Sequence, residues 1–130
     1  MTIKTLPNYS YNFNPNKRAK TKIKFIIIHY TGMKKESSAI KKLCNYNSKV
    51  SCHYFIKDNG KILTIVPHLY EAWHAGLSKW KKIKLLNKYS IGIEINNPGH
   101  EHGYKSFSSK QIKSLKKLLK YLMKNFNISY

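Results

Sequence analysis

Cys44 and Cys52 are the chain's two cysteines, so at most one bridge can form and a disulfide-stapled scaffold is excluded. Long apolar runs are missing too. The longest, Phe25-Ile26-Ile27-Ile28, falls far short of the roughly 20 residues needed to span a bilayer, so no transmembrane segment is expected. The first twenty residues hold Asn, Pro and Lys without an apolar stretch. No secretory leader is therefore expected, and the expected location is cytoplasmic, or periplasmic if the true N-terminus differs. Acid is scarce: 5 Asp or Glu face 25 Lys or Arg, a formal net charge of +20. A field of that sign attracts polyanions such as nucleic acid, anionic lipid or acidic cell-wall polymers. Arginine is scarcer still, with Arg18 standing alone. That argues against a dedicated phosphate reader, because the planar guanidinium grips phosphate in two places and the Lys ammonium does not. Lys, Asn, Ile and Tyr, residues with AT-rich codons, make up nearly half of the chain, so a biased genome accounts for the charge as well as an anionic partner does.

Apolar residues supply 42% of the chain, enough to fill a core, and 130 residues allow one domain. Residues 1–21 are polar, carry Pro7 and Pro15, and read as an irregular N-terminal arm. From 22 to 30, Ile23, Phe25, Ile26, Ile27 and Ile28 are β-branched or aromatic on both faces, which predicts a buried central strand. Ser37 and Ser38 precede Ala39, Ile40, Leu43 and Cys44 at helical spacing, which predicts a short helix. Apolar runs at 51–57 and 61–66 flank Asp58-Asn59-Gly60, a hairpin signal, because Asn and Gly tolerate the positive φ of a tight turn. Ile91, Ile93 and Ile95 alternate with Gly92 and Glu94 in another strand over 90–96. Ile112, Leu115, Leu118, Leu119, Leu122 and Phe126 form one apolar stripe on a helix over 109–126, with Lys opposite. Ser108 and Gln111 have capping-box spacing at its start. The residues 128–130 that follow read as the beginning of a further extended segment. Helices on a sheet of mixed character give the expected class: α/β, a mixed central β-sheet flanked by α-helices.

Six His invite a metal, but no pair has HExxH spacing and the cysteines lack CxxC spacing. Each His also reads as a surface or core-edge residue with one hydrogen bond, the reading preferred for His68 and His102. Glu94 is the sole acid in a strand of alternating Ile. It is an ordinary exposed residue if its face is open, and a general base if that face lines a cleft beside His29. Gly92 beside it leaves room for close approach. Trp73, among small residues, is either a core plug or a stacking wall.

The stretches Ile26-Ile27-Ile28-His29-Tyr30-Thr31, Val50-Ser51-Cys52-His53-Tyr54-Phe55-Ile56, Ala72-Trp73-His74-Ala75-Gly76 and Ser90-Ile91-Gly92-Ile93-Glu94-Ile95, in that order, resemble the zinc-dependent N-acetylmuramoyl-L-alanine amidases of the amidase-2 type. That family is related to peptidoglycan recognition proteins. Asn97 to Tyr104 resembles one bacterial branch of it. The resemblance implies an amidase domain over 22–130 and one Zn2+ at the sheet edge. It implies hydrolysis of the amide between N-acetylmuramic acid and L-alanine in peptidoglycan or muropeptides. His29 matches the first zinc ligand, Glu94 the acid that takes a proton from the zinc-bound water, and Trp73 and His74 groove positions. His53 matches a supporting position beside the cleft.

The family's two further zinc ligands follow the C-terminal helix, and no His of this chain falls there. The expectation is therefore a domain without its C-terminal metal-ligand segment, holding zinc weakly and weakly active or inactive, and monomeric. Two alternatives stay open. One is a relative or degraded fragment that grips muropeptide without cutting it. The other is a basic nucleic-acid-binding protein, which lacks an Arg-rich stripe or a known motif.

Overall fold

The computed structural model describes residues 2–75, 79–80, 83–84 and 86–129, with 79–80 and 83–84 described by their backbone alone. Gly76 of the Trp-His segment and Tyr130 lie outside them. In chain order the elements are β1 (Leu6–Pro7), β2 (Phe13–Asn14), β3 (Phe25–Tyr30), α1 (Glu36–Cys44), β4 (Tyr54–Ile56), β5 (Ile62–Thr64), β6 (Glu71–Ala72), β7 (Lys79–Trp80), β8 (Ile83–Lys84), β9 (Ser90–Ile95) and α2 (Ser109–Phe126), joined by short 3-10 turns. Five strands form one sheet in the order β1-β5-β4-β9-β3, and the pairs β2-β6 and β7-β8 stand apart. β9 runs parallel to both β3 and β4, whereas β4 and β5 are antiparallel. The expected mixed sheet with flanking helices is what the chain builds.

Alternation along β9 divides the interior into two layers. Ile91, Ile93 and Ile95 point to one face, where they share a buried cluster with Tyr54, Ile56, Leu118 and Leu122. Glu94 points to the other, toward α1, whose Ala39 and Leu43 pack with Phe55, Leu63, Ile65 and Val66. The helix α2 has the expected bounds and the full capping box between Ser108 and Gln111. It docks through fully buried Leu118 and Leu122, with Leu115 and Leu119 partly buried beside them. No helix among the described residues is long and apolar enough to cross a membrane.

Five expectations are corrected. The 22–30 run is not a central strand: β3 lies at the sheet edge among the described residues, with Ile28 47% and Tyr30 56% exposed. An apolar run cannot say which strand takes the middle: β4 takes it, and β9 stands between β4 and β3. Residues 1–21 are not a loose arm. β1 pairs parallel to β5, β2 pairs with β6, and buried Asn12 donates through Nδ2 to the carbonyls of Asn45 (2.7 Å) and Val50 (2.8 Å). Such two-residue strands are held by backbone hydrogen bonds and leave no periodicity to read. The helix α1 begins at Glu36, so Ser37 and Ser38 lie within its first turn. Ile112 is exposed, because Gln111 occupies the buried position in that turn and donates to the Asn96 carbonyl at 2.8 Å. Beyond α2 no strand begins among the described residues: left-handed Asn127 ends the helix, and the Ile128 N–H turns back to the Met123 carbonyl at 2.9 Å.

The Asp58-Asn59-Gly60 turn connects β4 to β5 as the sequence indicates. Gly60 takes a φ of +85°, and the Asn59 side chain accepts from the Lys61 N–H at 2.9 Å. Just before β4, the Ser51 and His53 N–H groups donate to the carbonyls of Trp73 and Gly92, each at 2.9 Å. The first bond ties the 72–75 segment to the residues before β4, and the second ties those residues to β9.

Candidate active site

In the parallel register of β3 and β9, His29 is paired with Glu94. Paired residues of adjacent parallel strands share a face about 4.8 Å apart, so both side chains open on the α1 side. A cavity of about 200 Å³ lies there, lined by His29, Glu94, Trp73 and His74 together with Thr31, Met33, Lys42 and Ser51. Residues far apart in sequence thus meet in one place. β3 and β9 supply His29 and Glu94, the segment after β6 supplies Trp73 and His74, and α1 supplies Lys42.

Each group is tuned by burial. Desolvation raises the Glu94 carboxyl to about 7, against the opposing pull of the Lys42 ammonium. A carboxylate poised there accepts protons near neutral pH far more readily than an exposed Glu. Burial lowers His29, and it lowers His74 to about 3, with His29 and Arg18 adding to that depression. Both rings are neutral at pH 7 and offer lone pairs.

His74 is seated on three sides. Its N–H and that of Ala75 donate to Asn87 Oδ1 at 3.1 and 2.8 Å. Its Nε2 meets Ser90 Oγ at 3.1 Å and its Nδ1 meets His29 Nε2 at 3.1 Å. The ring occupies the space above Gly92, where any Cβ would collide with it. The room that Gly92 leaves is thus taken by His74 and not by a ligand.

His53 is not beside the cavity. It is fully buried: Nδ1 accepts from the Gly92 N–H at 3.0 Å, and Nε2 donates to the Tyr70 carbonyl at 2.7 Å. Both ring nitrogens are committed, so no polar atom of this ring is free for substrate, and it serves as a cross-link between β9 and the segment before β6. His68 meets Tyr54 Oη at 2.8 Å and packs on Phe126, while His100 and His102 are exposed.

Lys42 lines the cavity, although a Lys on a helix carries no local signal in the sequence. Arg18 donates to the carbonyls of Asn87 (2.9 Å) and His68 (3.0 Å), and burial lowers its pKa to about 10.

These shifts make stability pH-dependent. Below 6.5, the His53 and His74 rings of the folded chain hold fewer protons than those of the unfolded chain. Their contribution is present above 6.5 and is lost as pH falls. Glu94 has the opposite sign: the folded chain keeps its proton up to about 7, so its contribution is present below 4.5 and is lost as pH rises. Each one-proton imbalance is worth about 1.4 kcal/mol per pH unit. His29 and His68, also lowered by burial, add to the same loss, so four His against one Glu leave stability falling as pH drops below 6.5. Urea unfolding at pH 7.5 and 5 should show that loss, and Glu94→Gln should steepen it. A midpoint that rises toward pH 5 would contradict these burial effects.

A family model described as N-acetylmuramoyl-L-alanine amidase matches residues 19–130. The chain belongs to that family. It is 36% identical over 123 residues to the N-acetylmuramoyl-L-alanine amidase AmiD of Escherichia coli (strain K12), covering 85% of this chain and 43% of AmiD. It is 33% identical over 81 residues to the 1,6-anhydro-N-acetylmuramyl-L-alanine amidase AmpD of Haemophilus influenzae, covering 62% of this chain and 42% of that protein. The chain thus spans under half the length of these curated relatives. The structure of AmiD from E. coli in complex with the substrate anhydro-N-acetylmuramic acid-L-Ala-D-gamma-Glu-L-Lys superimposes with a TM-score of 0.74 at 32% identity, covering 89% of this chain and 49% of that one.

Members of this family are generally zinc-dependent, and a catalytic zinc takes three protein ligands. Among the described residues no three His, Cys, Asp or Glu side chains converge to hold a metal ion. His29 and His74 bring two ring nitrogens to 3.1 Å. The described donor set fits one corner of a zinc site and not a complete one.

Proposed function

We propose that this chain acts on N-acetylmuramoyl-L-alanine amides of peptidoglycan or muropeptides, with Glu94 as the catalytic base. The observation that carries the reading is the cavity in which Glu94, raised to about 7, stands in register with His29 beside Trp73 and His74. Ionised Glu94 takes a proton from a water as its oxygen attacks the amide carbonyl carbon. The C–N bond then breaks, and the proton passes to the departing amine of L-alanine. Trp73 offers an apolar face to the sugar or stem peptide.

Zinc is the cofactor of this reading and His29 its ligand in this chain, with the further donors not among the described residues. The 130-residue chain is therefore expected to hold zinc loosely: equilibrium dialysis at micromolar zinc should leave it well below one ion per chain. Stoichiometric, tight zinc would show that donors such as His74 or His100 converge after all. The same donor set favours a second reading, a relative that grips muropeptide without cutting it. Incubation with N-acetylmuramoyl-L-alanyl peptide and excess zinc, with the products separated by mass, decides between them. Slow, Glu94-dependent release of the L-alanyl peptide supports the amidase. Binding with no release supports the second reading.

A further inference from the structure

We propose that His74 is a positioning residue for His29, which it holds as the neutral tautomer protonated on Nε2, so that Nδ1 carries the ring's one free lone pair. The proton order follows from one end of a hydrogen-bond chain. The Leu86 carbonyl can only accept, and Ser90 Oγ lies 2.6 Å from it, so the single Ser90 hydroxyl hydrogen is spent there. At 3.1 Å from His74 Nε2, Ser90 Oγ must then accept, which places the His74 hydrogen on Nε2. A neutral ring protonated at Nε2 has its lone pair on Nδ1. That atom faces His29 Nε2 at 3.1 Å, so His29 Nε2 is the donor.

His74 cannot turn away from this duty. Asn87 pins its backbone and that of Ala75, and the missing Cβ of Gly92 gives the ring its seat. A ring that presents one nitrogen to a ligand commonly donates the other to a fixed acceptor, which sets both tautomer and orientation. Here the fixed acceptor is itself an imidazole. A metal or substrate proton reaching His29 therefore meets Nδ1. This consequence rests on the amidase reading only in naming a metal as the guest, since the tautomer order follows from the hydrogen bonds alone.

The test is a long-range proton–nitrogen correlation spectrum of the whole chain labelled with 15N-histidine. His29 and His74 should each show a protonated Nε2 and an unprotonated Nδ1, with a scalar coupling between His29 Nε2 and His74 Nδ1. Ser90→Ala removes the acceptor and makes the reversed order accessible, with His74 Nδ1–H donating to His29 Nε2. Both rings should then move toward averaged nitrogen shifts, although neither is mutated. A packing role for Ser90 would not relocate a proton on His29. Ser90→Thr, which keeps a hydroxyl, should restore the wild-type pattern. His29 protonated on Nδ1, or His74 on both nitrogens, in the wild-type spectrum would overturn the proposal without recourse to any variant. So would a folded Ser90→Ala chain with an unchanged His29 pattern. Failure to hydrolyse muropeptide with the expected tautomers in place would count against the amidase reading alone.

Discussion

Glu94→Gln should lower the zinc-supported release of L-alanyl peptide by about 10²-fold or more, the usual loss when a positioned general base is removed. The substitution keeps the volume of the side chain and removes the group that accepts the proton. It also removes a penalty. Burial holds the Glu94 carboxyl at about 7, so above that pH the folded chain carries an ionised group away from water. The variant should therefore unfold at pH 8 at the same or a higher temperature than the wild type. Loss of turnover with stability kept or raised separates a chemical role from a structural one. Peptide release that survives the substitution would remove Glu94 from the mechanism.

Leu118→Ala should cost roughly 2–5 kcal/mol, because the side chain is fully buried against β9 and β4 and its loss leaves a cavity. A domain of this size holds only about 5–15 kcal/mol in total, so the variant should unfold at markedly lower urea. Partly buried Leu119, next along the same helix, is the control and should cost less on truncation. A cost under about 1 kcal/mol at Leu118 would mean that α2 does not anchor the Ile91–Ile95 face.

These two residues were readable in the sequence for different reasons. Leu118 sits on a stripe with the 3.6-residue period between a capping box and a left-handed Asn127, so local rules and packing agree along α2 from Leu115 onward. Glu94 stood out because a lone acid interrupts an alternating apolar strand. What the sequence concealed depends on long-range pairing. His29 and His74 are 45 residues apart, and nothing near either announces the 3.1 Å contact. His53 looked like a neighbour of the cleft because its segment is, yet the bond from the Gly92 N–H turns its ring inward. β1 and β2 are two residues each, too short to show a period. Ile112 follows the helical stripe and is still exposed, because Gln111 finds a backbone partner in the Asn96 carbonyl.

If the proposed function holds, muropeptide binds in the cavity between β3, β9 and α1. Titration of the 15N-labelled chain with N-acetylmuramoyl-L-alanyl peptide tests it directly. Shifts should concentrate at His29, Trp73, His74 and Glu94, with the Lys-rich outer face of α2 unmoved. Shifts confined to that outer face, or none at millimolar ligand, would contradict it.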